Sequence, residues 1–101
     1  MTIGAIIKQL ETEWDTNGFF DRVRNGDYDV IRGQMVLAVL RAIKIGDDDM
    51  VPKRLLSLLW YLPSFLAWQS ERIAEKGGDE PAYEHFVTEV DNILQEVLGV
   101  P

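Results

Sequence analysis

The chain has no cysteine and a single histidine, His85, among its 101 residues. Without cysteine there are no disulfides and no thiolate metal sites, and the small secreted scaffold loses its main support; a reducing cytoplasm is the compartment expected. With one histidine, a zinc site would have to draw most of its ligands from carboxylates, and neither HExxH nor a paired Cys and His spacing occurs. Phosphate-cradling glycine patterns are missing too. The eight glycines lie at expected helix ends, apart from Gly4 and Gly33, and form neither GxGxxG nor GxxxxGK. No nucleophile, base and orienting group stand out together, so the expectation is a non-enzyme that needs no cofactor and no metal.

Positive charge is also scarce. Ten lysines and arginines against seventeen acidic side chains leave a net charge of -7. That balance disfavours nucleic acid and anionic lipid, and favours a basic protein partner. The opening MTIGAIIKQLETEW has no basic n-region and meets Glu11 and Glu13, unlike a signal peptide. A membrane-length run is missing as well. The most apolar stretch, LLSLLWYLPSFLAW, belongs to sixteen uncharged residues between Arg54 and Glu71 that include Ser57, Pro63, Ser64, Gln69 and Ser70. A spanning helix wants roughly 20 mostly apolar residues, so this segment reads instead as a helix enclosed by other helices.

What the chain does have is 47% apolar residues, enough for one core, and residues 1–101 are expected to form one helical domain. Ile3, Ile6, Ile7, Leu10 and Trp14 repeat at helical steps behind Thr2, a suitable N-cap. Phe19, Phe20 and Val23 predict two further turns that stop at Asn25 and Gly26. Asp29 is the expected N-cap of a helix whose apolar positions are Ile31, Met35, Val36, Val39, Leu40 and Ile43, with Lys44 in its last turn and Gly46 as its end. Asp47, Asp48 and Asp49 read as the start of a long helix running from Asp49 or Met50 to Lys76, which Pro63 should kink or split. Asp79 or Glu80 caps the last helix, on which Tyr83, Phe86, Val87, Val90, Ile93, Leu94, Val97 and Leu98 form the apolar stripe and His85 lies away from it. No period-two alternation competes. The predicted fold is all-α, a compact bundle of four to five helices with a proline-kinked or split central helix.

Candidate binding chemistry lies in charge and aromatics. The sequence NGDYDVIRG around Asp27 and Asp29 lacks the spacing and terminal glutamate of an EF-hand loop, and capping accounts for Asp47 to Asp49. From Gly77 onward there are six acidic residues, Asp79, Glu80, Glu84, Glu89, Asp91 and Glu96, and no lysine or arginine. A helix that forgoes mixed-sign pairs carries a one-sign field, unless Lys53, Arg54, Arg72 and Lys76 of the central helix neutralise it within the fold. Left open, Glu80, Glu84, Glu89, Asp91 and Glu96 would steer a cationic partner. Trp14, Trp60, Tyr61 and Trp68 are each expected in the core first, with Trp68, next to the polar QSERIAEK, the best candidate for an exposed anchor.

As a general type, a small acidic helical chain with no catalytic set resembles the immunity proteins and antitoxins with which bacteria block toxic enzymes, many of them basic nucleases. The resemblance rests on size and charge and covers no motif. It implies a basic protein partner held through the acidic residues and Trp68. The alternative is a homo-oligomeric regulatory or interaction module, a homodimer for instance, joined through Trp60 to Trp68.

Overall fold

The computed structural model describes all 101 residues and contains seven helices and no strand. They are α1 (Ile3–Trp14), α2 (Phe19–Arg24), α3 (Val30–Arg41), α4 (Lys53–Leu59), α5 (Leu62–Trp68), α6 (Ser70–Glu75) and α7 (Glu80–Leu98). Counting α4, α5 and α6 as one interrupted helix leaves five, within the expected four to five. The radius of gyration is 13.5 Å, close to the roughly 13 Å of a well-packed chain of about 100 residues. α7 lies against α3, α5 and α6, while α1 packs on α2, α3 and α4.

Local chemistry sets the helix starts. Thr2, Asp29 and Asp79 each accept a backbone N–H from the first turn, those of Ala5, Arg32 and Ala82. All three caps are legible in the sequence. The turn between α1 and α2 is held by a less visible device. Glu13 is only 3% exposed, and its Oε1 accepts both the backbone N–H of Phe19 at 3.1 Å and the Arg32 guanidinium at 2.8 Å. Gln9 donates to the other oxygen at 2.9 Å. One carboxylate thus ties α1 to the start of α2 and to α3. Gly18 makes this possible because a Cβ there would fall against the carbonyl oxygens of Thr12 and Glu13.

α3 departs from the expected face. Its buried residues are Gly33, Val36, Leu37 and Leu40, whereas Ile31 and Met35 are 75% and 58% exposed. Apolar residues are spread almost evenly around this helix, so periodicity alone does not choose a side. Gly33 chooses it. A Cβ at Gly33 would lie 3.1 Å from a ring carbon of Tyr28 and 3.4 Å from one of Phe86, so the bare backbone is what lets α3 approach α7. The Tyr28 ring has little freedom to yield, with Phe19, Tyr83 and Phe86 packed around it at centroid distances of 6.1, 5.2 and 5.5 Å. Gly33→Ala is therefore expected to lower stability: overpacking costs about 1–3 kcal/mol against about 1 kcal/mol of helix propensity gained. Gly4, also helical, has nothing within 4 Å of a built Cβ. Gly4→Ala should stabilise by up to about 1 kcal/mol, and chemical denaturation of the two variants reads the opposite signs.

The long central helix is interrupted at two places, not one. Pro63 falls in the first turn of α5, where a missing N–H is harmless, and the chain breaks at Trp60 and Tyr61 just before it. A second break at Gln69, which the sequence does not announce, separates α5 from α6. The Leu66 carbonyl beside that break receives the Tyr83 hydroxyl at 2.6 Å, so α7 supplies a donor where the helix runs out. The start of the region also differs from expectation. α3 ends at Arg41, before Lys44, and α4 begins only at Lys53, so Asp47, Asp48 and Asp49 lie in a loop and cap nothing. Asp49 instead accepts the Gly46 N–H at 2.7 Å. With Pro52 and the loop ahead of it, three or four residues of the expected helix are lost.

The apolar stretch proves two-sided. Leu55, Leu58, Leu59, Leu62, Phe65 and Leu66 are buried, but Leu56, Trp60 and Trp68 are exposed, so the helix is only partly enclosed. Trp14 does belong inside, its indole N–H donating to the Leu58 carbonyl at 3.3 Å and its ring lying 4.6 and 4.9 Å from Phe20 and Phe65.

Two tyrosines in this core make the fold sensitive to alkali. Burial raises the phenol of Tyr28, helped by the negative charges of Asp79 and Asp29; burial raises that of Tyr83 further, with Tyr28 adding to it. Above about pH 10 the unfolded chain releases both protons while the folded chain keeps them. Stability is thus intact below that pH and falls above it, by up to about 1.4 kcal/mol per pH unit for each tyrosine until its raised folded value is passed. Tyr28→Phe should remove part of that slope in denaturation curves taken between about pH 9 and 11.

Candidate partner-binding surface

α7 is where the candidate residues converge. Tyr83, Phe86, Val90, Ile93 and Leu94 turn inward and hold the helix on the core. At about 100° per residue, Glu80, Glu84 and Asp91 then fall within about 40° of one another on one flank of that stripe. Glu89 and Glu96 fall within about 20° of each other on the opposite flank. Between the two rows the outermost face presents Thr88, Asn92 and Gln95, all exposed and uncharged. The acidic helix therefore carries two edges of charge.

The rows differ in what neutralises them. On the α3 side, Arg41 donates to Glu89 at 2.9 Å, and His85, its side chain 75% exposed, lies 3.9 Å from the same carboxylate. Glu96 is exposed and borders a cavity of about 610 Å³ that also takes in Arg41, Lys44 and Asp49. On the α5 and α6 side no lysine or arginine forms an ion pair with the row, Arg72 of α6 donating instead to the Arg24 carbonyl. Ser70 donates to Glu84 at 2.8 Å and approaches Glu80 at 3.4 Å, which orients two carboxylates and leaves their charge in place. Asp91 stands apart, because its Oδ1 is buried and has no hydrogen-bond partner.

The cations of the central helix form no ion pair with α7. Arg54 pairs with Glu11 at 2.9 Å and Arg72 donates to the Arg24 carbonyl at 2.9 Å, while Lys53 and Lys76 form no ion pair with α7. The one cation that reaches α7 is Arg41, from α3.

Beside the unpaired row runs a groove of about 350 Å³ between α7 and the break ahead of α5, with Trp60 and Pro63 on one wall and Asp91, Leu94 and Leu98 on the other. Trp60 is 70% exposed. It was expected in the core, but its backbone angles stay helical, with its N–H on the Leu56 carbonyl at 3.0 Å. At about 100° per residue it falls with exposed Leu56 opposite the buried stripe of Leu55, Leu58, Leu59 and Leu62. Trp68 is 69% exposed, as the polar residues after it suggest. It lies edge-on to Tyr61 at 6.0 Å and does not line the groove, so Trp68 and Trp60 occupy separate positions. Tyr61 links them, 5.5 Å from Trp60.

Sequence reasoning placed Trp60 in the core first and at a surface only in the oligomeric alternative, and it missed the exposed Leu98 and the buried Glu13. For Trp60 a signal existed: at helical spacing it falls with Leu56 on the face opposite Leu55, Leu58, Leu59 and Leu62. No group of three or more histidine and carboxylate side chains is placed to hold a metal ion, and no helix is long and apolar enough to cross a membrane. Comparison with protein-family models, with curated proteins and with solved structures gives no match to this chain.

Proposed function

We propose that the chain is a non-catalytic protein-binding domain of the bacterial cytoplasm that blocks a basic protein, a toxin nuclease for example, in the manner of an immunity protein or antitoxin. The observation that carries this reading is the row of Glu80, Glu84 and Asp91, with which no lysine or arginine of the chain forms an ion pair. Desolvating such a row against an apolar partner would be costly, whereas a cationic surface offsets that cost and is drawn in at long range. Glu89 and Glu96 extend the field on the other edge, and Trp68 is a candidate anchor at the periphery.

The second reading, a homodimer or other homo-oligomeric module, has its own observation. Leu56, Trp60 and Trp68 are 40%, 70% and 69% exposed, more large apolar side chain than a monomer's surface needs. Light scattering separates the two. A monomer that captures a basic protein from its own cells, and releases it as salt rises, supports the inhibitor. A dimer that survives high salt and shields the three side chains supports the module.

A further inference from the structure

We infer that the groove between Trp60 and Asp91 is a socket for one arginine side chain of a basic protein partner. This rests on the proposed inhibitor reading and narrows it to one place and one side chain. Asp91 Oδ1 is the only buried side-chain nitrogen or oxygen in the molecule without a hydrogen-bond partner. A buried acceptor left unpaired is destabilising, so the Asp91 side chain gains by turning Oδ1 into the groove it borders when a donor enters there. Asp91 lines that groove together with Trp60, Pro63, Leu94, Gln95 and Leu98. Its volume of about 350 Å³ is at the low end of the roughly 300–1,000 Å³ of ligand pockets, which suits a single long side chain better than a whole helix.

The chemistry of the walls selects the occupant. Trp60, 70% exposed, offers a ring face on which a guanidinium can stack, while the aliphatic stem of an arginine lies along Leu94 and Leu98. The planar guanidinium keeps donors free in its own plane for Asp91 and for the Gln95 side chain. An ammonium, compact and strongly hydrated, gains less from the tryptophan. A second copy of this chain is a poor occupant, since a two-fold contact through the groove would set the Glu84 and Asp91 rows of both copies against each other.

The test is NMR of the isotope-labelled full chain titrated with a capped peptide alternating arginine and glycine, and with its lysine counterpart. The socket predicts that the largest shifts fall on the Trp60 indole N–H and on the amides of residues 91–99, and that arginine outcompetes lysine. Asp91→Asn should weaken arginine-peptide binding by about fivefold or more, the value of a lost charge-assisted hydrogen bond. Trp60→Ala, at a position too exposed to be needed for folding, should remove most of the preference for arginine over lysine. If shifts instead spread evenly over Glu84, Glu89 and Glu96, and neither substitution changes affinity, the socket is wrong while a diffuse acidic surface stands. No shift with either peptide overturns the socket and leaves the acidic-surface reading to its own salt dependence.

Discussion

Glu13→Ala should be among the most damaging single substitutions in this chain, lowering unfolding free energy by about 2–4 kcal/mol. Three donors converge on that carboxylate, and the decisive one is the Phe19 N–H, which starts α2 in a buried position. Truncation leaves it without an acceptor, at a cost of about 1–3 kcal/mol, and loses the hydrogen bond from Arg32 as well. Arg32 itself is not stranded. Its side chain is 39% exposed and water can take over, so the loss stays below that of a fully buried pair. Glu13→Gln keeps an oxygen for Phe19 and should cost only about 1 kcal/mol. Against a typical total of about 5–15 kcal/mol, the alanine variant should show a clearly lower denaturation midpoint with an unchanged slope.

The two acidic edges of α7 should contribute unequally to association. Glu89 is already paired with Arg41, so an approaching cation meets a local charge near zero at that edge before any substitution. Glu84 and Asp91 have no such counterion. Glu84→Gln with Asp91→Asn is expected to slow association with a basic partner by about tenfold at low salt, and Glu89→Gln with Glu96→Gln by about threefold or less. Both pairs should fold normally, because glutamine matches glutamate and asparagine matches aspartate closely in helix propensity, Asp91 makes no ion pair, and exposed charge pairs contribute little to stability. Stopped-flow association of each pair with the captured partner gives the ratio.

Much of the architecture was legible because it follows from short-range chemistry. Thr2, Asp29 and Asp79 announce helix starts, Gly77 and Gly78 announce an end, and Pro63 announces a break. Where long-range packing decides, the sequence was silent or pointed the wrong way. The apolar surplus on α3 hid which face is buried, and only the close approach at Gly33 resolves it. Asp47 to Asp49 resemble a helix start, yet Pro52 and the turn closed by Asp49 on Gly46 delay α4 to Lys53. The acid count of α7 was readable; its division into two rows follows from the 3.6-residue turn, and the choice of Arg41 as counterion depends on α3 lying alongside. The break at Gln69 and the role of Glu13 carry no local signal, since each is completed by a residue from a distant part of the chain.

The central claim is that the acidic side chains of α7 meet a basic protein. Its most direct measurement is the association rate of a partner captured from the source cells, for the wild type and for a variant with Glu84, Glu89, Asp91 and Glu96 all changed to glutamine. The rates should be taken at about 0.01 M and about 0.15 M ionic strength, where charges are screened over about 30 Å and about 8 Å. The account predicts a wild-type rate that falls steeply between the two salts and a variant that is slow at both. A partner that associates equally fast with both proteins at both salts would contradict it, and would leave α7 a solvated surface with the contact to be sought around Trp60, Tyr61 and Trp68.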